Sequence, residues 1–292
     1  MNDTQFRPRR SVLYMPSSNE RALEKAKAIP CDGIIFDLED AVAPDAKPAA
    51  REAACAAVTS GDYGRRELII RVNGMDTQWH LDDVKAACAA GPDAIAVPKV
   101  SSAQQVLDLA EELEKFGAPA HTTLWAMVET PIAMLHAYEI ASASAKLSVL
   151  VMGTNDLVKE LYAEHVPGRA PVQTGLQLCL LAARAAGKAI IDGVYNNVKD
   201  PEGFEAECVQ GRQWGFDGKT LIHPGQVEPA NQAFAPSAAA VEEAQGILQA
   251  WEDGKGSGVV TYNGKMIENL HVESAQRILT MHEAIQALEA DG

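Results

Sequence analysis

The chain has 292 residues and a formal charge of −15, from 25 Lys and Arg against 40 Asp and Glu. That balance argues against DNA, RNA or an anionic membrane as the main partner, since each calls for a basic surface. A hydrophobic share of 47% with 22% charged residues is that of a soluble globular protein, and no apolar run reaches the roughly 20 residues of a membrane span.

Arg9-Arg10 precedes the first strand candidate, "SVLYMP" (11–16). This run is too short for an export signal and meets the charged "NERALEKAK", so the protein is expected in the cytoplasm. "PSSNERALEKAK" then offers a turn, an Asn19 helix cap and the cations Arg21 and Lys25. These suit a phosphate-bearing ligand or, equally, a solvated helix face.

The second strand, "GIIFDLE" (33–39), runs into Glu39 and Asp40 at its C-terminal end. Asp37 is expected to point another way, and Asp45 to cap the next helix. "ELIIRVN" (67–73) carries Arg71, whose buried guanidinium would be costly without an anion. Its fork fits a carboxylate, either of a small substrate or of Glu39 or Asp40. Lys99, closing "AIAVPKV" (94–100), is a weaker substrate-binding candidate of the same kind.

"TTLWAMVET" (122–130) ends at Glu129, and "LSVLVMG" (147–153) is followed by Asp156. Two carboxylates on neighbouring strands push one pKa up unless a cation such as Mg²⁺ keeps both ionised. A helix-capping Glu129 and an ordinary turn acid at 156 are the alternative. No His or Cys stands with them, which favours a hard cation over zinc. Glu39 and Asp40 can then accept hydrogen bonds from metal-bound water. The last strands are "AIIDGVYN" (189–196) and "GKTLIHP" (218–224), the latter ending at His223-Pro224, a turn suited to lining a pocket.

Helix-like stretches at 19–29, 46–58, 78–90, 102–116, 131–143, 171–187 and 201–214 alternate with these eight strands. The pattern predicts parallel βα units closing into a (β/α)8 TIM barrel. Polar residues recur where a barrel carries its active site, at the strand C-termini. A doubly wound sheet competes, but no GxGxxG follows an early strand. A helix at about 226–251, a Gly-rich hinge (Gly254, Gly256, Gly258), a hairpin and a helix at about 271–290 follow. The predicted division is a barrel over 1–252 and a lid or oligomerisation segment over 253–292. Five cysteines without a CxxC read as free thiols, the histidines 80, 121, 136, 165, 271 and 282 form no HxxxH or HExxH pair, and no GxSxG supplies a serine nucleophile.

Eight segments run in order along nearly the whole chain: "RSVLYMPSSNERALEKA", "IIFDLEDAVAPDAK", "IIRVN", "VPKV", "MVETP", "GTNDL", "LIHPGQ" and "NGKMIENLHVESAQRIL". Together they resemble the citrate-lyase-β-like or malyl-CoA lyase family, within the aldolases named for hydroxy-oxo-heptanedioate cleavage. The resemblance implies a TIM barrel whose lid reaches over a neighbouring subunit's site, in a homotrimer or a dimer of trimers. It implies Mg²⁺ on Glu129 and Asp156, Arg71 on a 2-oxo acid carboxylate, and a CoA site around Tyr14 to Lys25 and His223-Pro224. Two positions depart from the family: Ser17 stands where relatives usually carry Gly, and Glu268 where they often carry an acid–base Asp.

The expected reaction is reversible C–C cleavage of a 3-hydroxyacyl-CoA such as malyl-CoA to acetyl-CoA and glyoxylate, with Glu268 protonating the enolate. Alternatives are a (3S)-malyl-CoA thioesterase using the same pocket, a citrate lyase β subunit acting on an acyl-carrier protein, and a barrel that binds CoA esters without chemistry.

Overall fold

The computed structural model describes residues 6–254 and 259–290. Eight strands close a parallel barrel in sequence order. The first half is β1 (Ser11–Pro16), α1 (Glu20–Ala26), β2 (Gly33–Asp37), α2 (Lys47–Ser60), β3 (Glu67–Arg71), α3 (His80–Ala90), β4 (Ala94–Val97) and α4 (Ala103–Lys115). The second half begins with β5 (Thr123–Val128), the short α5 (Pro131–Leu135) and α6 (Ala137–Ser142), β6 (Leu147–Met152) and α7 (Thr154–Glu160). It ends with α8 (Gln173–Ala185), β7 (Ala189–Asp192), α9 (Pro201–Trp214), β8 (Gly218–Leu221) and α10 (Val227–Phe234).

The continuous apolar strands are explained by two separate cores. Val12, Ile35, Ile69, Trp125, Val149 and Ile191 fill the barrel interior, while Leu13, Ile34, Ile70 and Leu150 pack outward under the helices. Successive side chains leave a strand on opposite faces, so both faces must be apolar. The same alternation decides which residues reach the mouth of the barrel. At the opposite end, Arg9 makes a fork with Glu67 at 2.6 and 2.8 Å and lies 5.6 Å from the Trp125 ring centre.

Asn19, Ser102, Thr130 and Asp200 cap their helices through the side chain. Asp45 does not cap a helix: it sits exposed in the 3-10 turn Pro44–Ala46, and Ala46 begins α2 without a side-chain cap. Proline at the start of that turn sets φ for a tight turn before the helix. The predicted helix at 226–251 is two, because Pro236 breaks it and Ser237 caps the second.

That second helix, α11 (Ala238–Asp253), belongs with the C-terminal segment. Arg9–Phe234 forms one compact unit, so the division falls at 234/235 and not at 252/253. Within the C-terminal unit, α11 packs on α12 (Asn269–Ala290) and on the hairpin of β9 (Val260–Tyr262) and β10 (Lys265–Ile267). Asn263-Gly264, both at positive φ (48° and 75°), makes the hairpin turn, the arrangement these two residue types favour. The hinge positions Gly256 and Gly258 lie outside the described residues. The cysteines are free, and among the described residues no helix is long and apolar enough to cross a membrane.

Candidate functional site

The inward parity that places Ile35, Ile69 and Met127 inside the barrel carries Asp37, Arg71 and Glu129 to its C-terminal mouth. Asp37 therefore faces the site, against the expectation from sequence. Arg71, only 7% exposed, donates from Nε to Asp37 Oδ1 and from Nη2 to Asp37 Oδ2, both at 2.6 Å. Its Nη1 meets Glu39 Oε2 at 2.7 Å and Asp40 Oδ2 at 3.7 Å. The anion that holds the Arg71 fork is thus the chain's own, and chiefly Asp37. The Tyr14 ring covers the guanidinium at 4.8 Å, and burial holds the Tyr14 hydroxyl above its ordinary pKa.

Glu129 is 3% exposed at the end of β5, and its Oε1 accepts the main-chain N–H of Lys99 at 2.7 Å. Lys99 takes a left-handed backbone (φ 55°) to aim that N–H. Its side chain is exposed, so its contribution is a backbone donor where sequence suggested a buried cation. The acids Asp156, Glu39, Glu129 and Asp40 outweigh burial and keep its ammonium above its ordinary pKa. The other Glu129 oxygen lies on Gly153, where a Cβ would come within 2.1 Å. No other residue type fits there without moving the carboxylate.

Burial, and then the charge of Asp156, push Glu129 up to about 7 against the Lys99 N–H. Burial likewise raises Glu39 to about 7 against the pull of Arg71, with Asp40, Glu129 and Asp37 adding to the rise. Asp156 is half-buried in the first turn of α7. The charges of Asp40, Glu129 and Asp37 add to the burial of Glu39, and that of Asp156 to the burial of Glu129, so the rim is short of positive charge. The donors are all oxygen, which suits a hard divalent cation that needs only one or two protein carboxylates. Among the described residues no set of three or more His, Cys, Asp or Glu converges on one point.

Lys25 is exposed in the last turn of α1. His223 and Pro224 are exposed, and the His223 ring accepts the Gly225 N–H at 3.0 Å as the cap of a turn. Glu268 lies in the C-terminal unit, where its main-chain N–H donates to His271 Nδ1 at 3.0 Å. A cavity of about 490 Å³ runs along the loops after β6 and β7, walled by Thr154, Val158, His165, Arg169 and Tyr195; none of Glu129, Asp156, Glu39 or Arg71 lines it. Asp37, Gly153 and the Lys99 N–H escaped the sequence reading. The parity 35–37–39 was the signal for Asp37, whereas a backbone N–H leaves no trace in residue type.

Comparison with known proteins identifies the family and agrees with the barrel fold. The model of the family described as HpcH/HpaI aldolase/citrate lyase matches residues 10–224, and that described as C–C bond lyase of the TIM-barrel fold matches 172–285. The (3S)-malyl-CoA thioesterase of Cereibacter sphaeroides is 52% identical over 288 residues, covering 98% of this chain and 99% of that one. The citrate lyase subunit beta of Escherichia coli is 34% identical over 95% of this chain and 94% of its own. CitE of Mycobacterium tuberculosis, solved with magnesium, acetoacetate and coenzyme A, superposes with a TM-score of 0.74 at 28% identity, over 96% of this chain and 98% of that one. A closed eight-stranded barrel with an acid-ringed mouth, matched over 10–224, places this chain in the HpcH/HpaI aldolase/citrate lyase family.

Proposed function

We propose that this enzyme hydrolyses the thioester of a malyl-type 3-hydroxyacyl-CoA, with Mg²⁺ held by Glu129 and Asp156. The observation that carries the reading is the 52% identity to a (3S)-malyl-CoA thioesterase over 98% of the chain. Bound there, Mg²⁺ would draw electron density from the oxygens of the substrate. Asp37 keeps two arms of Arg71 fixed, which leaves Nη1, shared with Glu39, as the arm for a substrate carboxylate. Glu39, near 7, can take a proton from water at neutral pH. That water adds to the thioester carbonyl carbon, the C–S bond breaks, and the sulfur leaves as the thiol of CoA with malate as the acid. Tyr14 shields the Arg71 face, and Lys25, Lys99, His223 and Pro224 are the proposed contacts to the CoA arm. Glu268 is proposed as a second acid–base group, acting across the interface on a neighbouring subunit's site.

C–C cleavage is the second reading, favoured by the likeness to the citrate lyase β subunits at 34–38% identity. It uses the same ligands and differs in whether water reaches the carbonyl. Purified protein with Mg²⁺ and malyl-CoA is expected to release malate and free thiol. Acetyl-CoA with glyoxylate would put the lyase reading first, and turnover of neither kind would remove both.

The raised carboxyls also set a pH dependence. Glu129 must lose its proton to hold a cation, and its pKa stands near 7, above the ordinary 4.5. Mg²⁺ affinity should therefore fall about tenfold per pH unit below 7 and level off above it, as read by titration calorimetry from pH 5.5 to 8.5. In the metal-free protein the sign reverses: burial favours the protonated acid, so this group's contribution to stability is full below 4.5 and is lost as pH rises through 7. Affinity that is flat across this range would exclude Glu129 as a ligand.

We also propose a homotrimer or hexamer. Ile132, Leu135, Tyr138, Leu178 and Leu181, on the packed helices α5, α6 and α8, are 40–72% exposed, an apolar face of the kind subunit contacts cover. A sedimentation mass of one chain would refute it.

A further inference from the structure

Lys47 is 6% exposed in the first turn of α2. Its ammonium donates to Leu38 O and Glu39 O at 2.9 Å each and to Asn73 Oδ1 at 2.6 Å. Three donors thus meet three acceptors, none of them a carboxylate. The Trp79 ring lies 5.0 Å from the nitrogen. Burying a charge is costly, and stability alone favours an apolar side chain at such a position.

The acceptors show what this charge is for. Residues 38 and 39 lie just past the end of β2, beyond the ladder with β3. Tying two successive carbonyls to one nitrogen fixes the peptide planes on both sides of Glu39, and with them the direction in which its side chain leaves the backbone. Asn73 is seated in turn: its Nδ2 donates to Leu38 O at 3.0 Å and to Asp83 Oδ2 at 2.6 Å. Arg51 Nε holds the other oxygen of Asp83 at 2.6 Å. His80 bridges Asn73 O and Glu112 at 2.8 and 3.0 Å. Side chains from α2, α3 and α4 therefore converge on the turn that presents Glu39 to Arg71.

We infer that Lys47, seated by Asn73 and Asp83, is a positioning residue for Glu39, acting through the carbonyls of residues 38 and 39. It touches no reacting atom. This rests on the role proposed above for Glu39, so one arm of its test is kept independent of turnover. In Lys47→Met, kcat on malyl-CoA should fall about 10–100-fold while KM changes little, as for other groups that orient a site. In the Glu39→Gln background the same change should cost less than about threefold, because the residue it positions is already disabled. Losses that multiply in the double variant, or an unchanged kcat, would overturn the inference.

The independent arm is hydrogen exchange. The amides of Leu38, Glu39, Ala41 and Val42 are all bonded to Arg71 O, Asp37 or Glu39 O. Peptides spanning them should exchange at least about tenfold faster in Lys47→Met, with β5 and β6 unaltered. Unaltered exchange at 38–42 sinks the role of Lys47; absence of turnover by the wild-type protein sinks only the functional reading. Should Lys47→Met fail to fold, Asn73→Ala, which leaves both carbonyl contacts, is read in the same two ways with smaller changes expected.

Discussion

Glu129→Gln should abolish turnover, by about 1,000-fold or more, and leave the fold intact. The amide can keep its oxygen on the Lys99 N–H, where Glu129 Oε1 now accepts at 2.7 Å, and it fits the space beside Gly153. It lacks the negative charge that would hold a cation, and electrostatic assistance of several kcal/mol corresponds to about a thousandfold in rate. Stability should move the other way. Burial lifts Glu129 to about 7, so above that pH the metal-free protein carries a charge it is better off without. The variant should then melt at or above the wild-type temperature at pH 8 without Mg²⁺, and gain nothing when Mg²⁺ is added. Asp156→Asn should match it in activity. Undiminished turnover of either variant, or of the wild type in EDTA, would end the metal assignment.

Asp192→Asn should be the largest single loss of stability, about 3–5 kcal/mol. Asp192 ends β7 on its outer face, with both oxygens 2.7 Å from Arg169 Nη1 and Oδ2 3.1 Å from Lys219 Nζ. Lys219 is 0% exposed and Arg169 nearly buried, so neither can reach water if the acid is lost. Glu207 still meets Lys219 at 2.7 Å, but one acid cannot neutralise two buried cations. Burial alone would raise the Asp192 pKa; the Lys219 and Arg169 charges outweigh it and hold the carboxyl below its ordinary range. Its contribution is therefore full above the ordinary 3.8 and is lost as pH falls through its lowered value. Urea unfolding at pH 7 and across a series below pH 3.8 reads both effects. A loss below about 1 kcal/mol at pH 7 would mean that the cluster carries little net energy.

How the site is put together shows where local sequence stops being informative. Glu129 and Asp156 were legible because each follows an unmistakable apolar strand, and the end of a parallel strand in a barrel has only one place to go. Glu39 was legible for the same reason. Asp37 was misjudged, although it shares the face of Ile35, because the acids crowded after it hid the alternation. Arg71 left its partner undecided: the sequence offers Glu39, Asp40 and a substrate as anions, and the β2–β3 register instead sets Asp37 beside Arg71.

By itself, then, the amino-acid order determined the eight βα units, their closure and the rim on which the chemistry gathers, since hydrophobic period and chain punctuation are local and survive any tertiary context. Tertiary structure alone decided the fork between Arg71 and Asp37, the Lys99 N–H on Glu129 and the seat of Lys47. Those depend on register between strands and on distances across the barrel mouth, between residues about 30 positions apart in the chain, and no window along the sequence spans them.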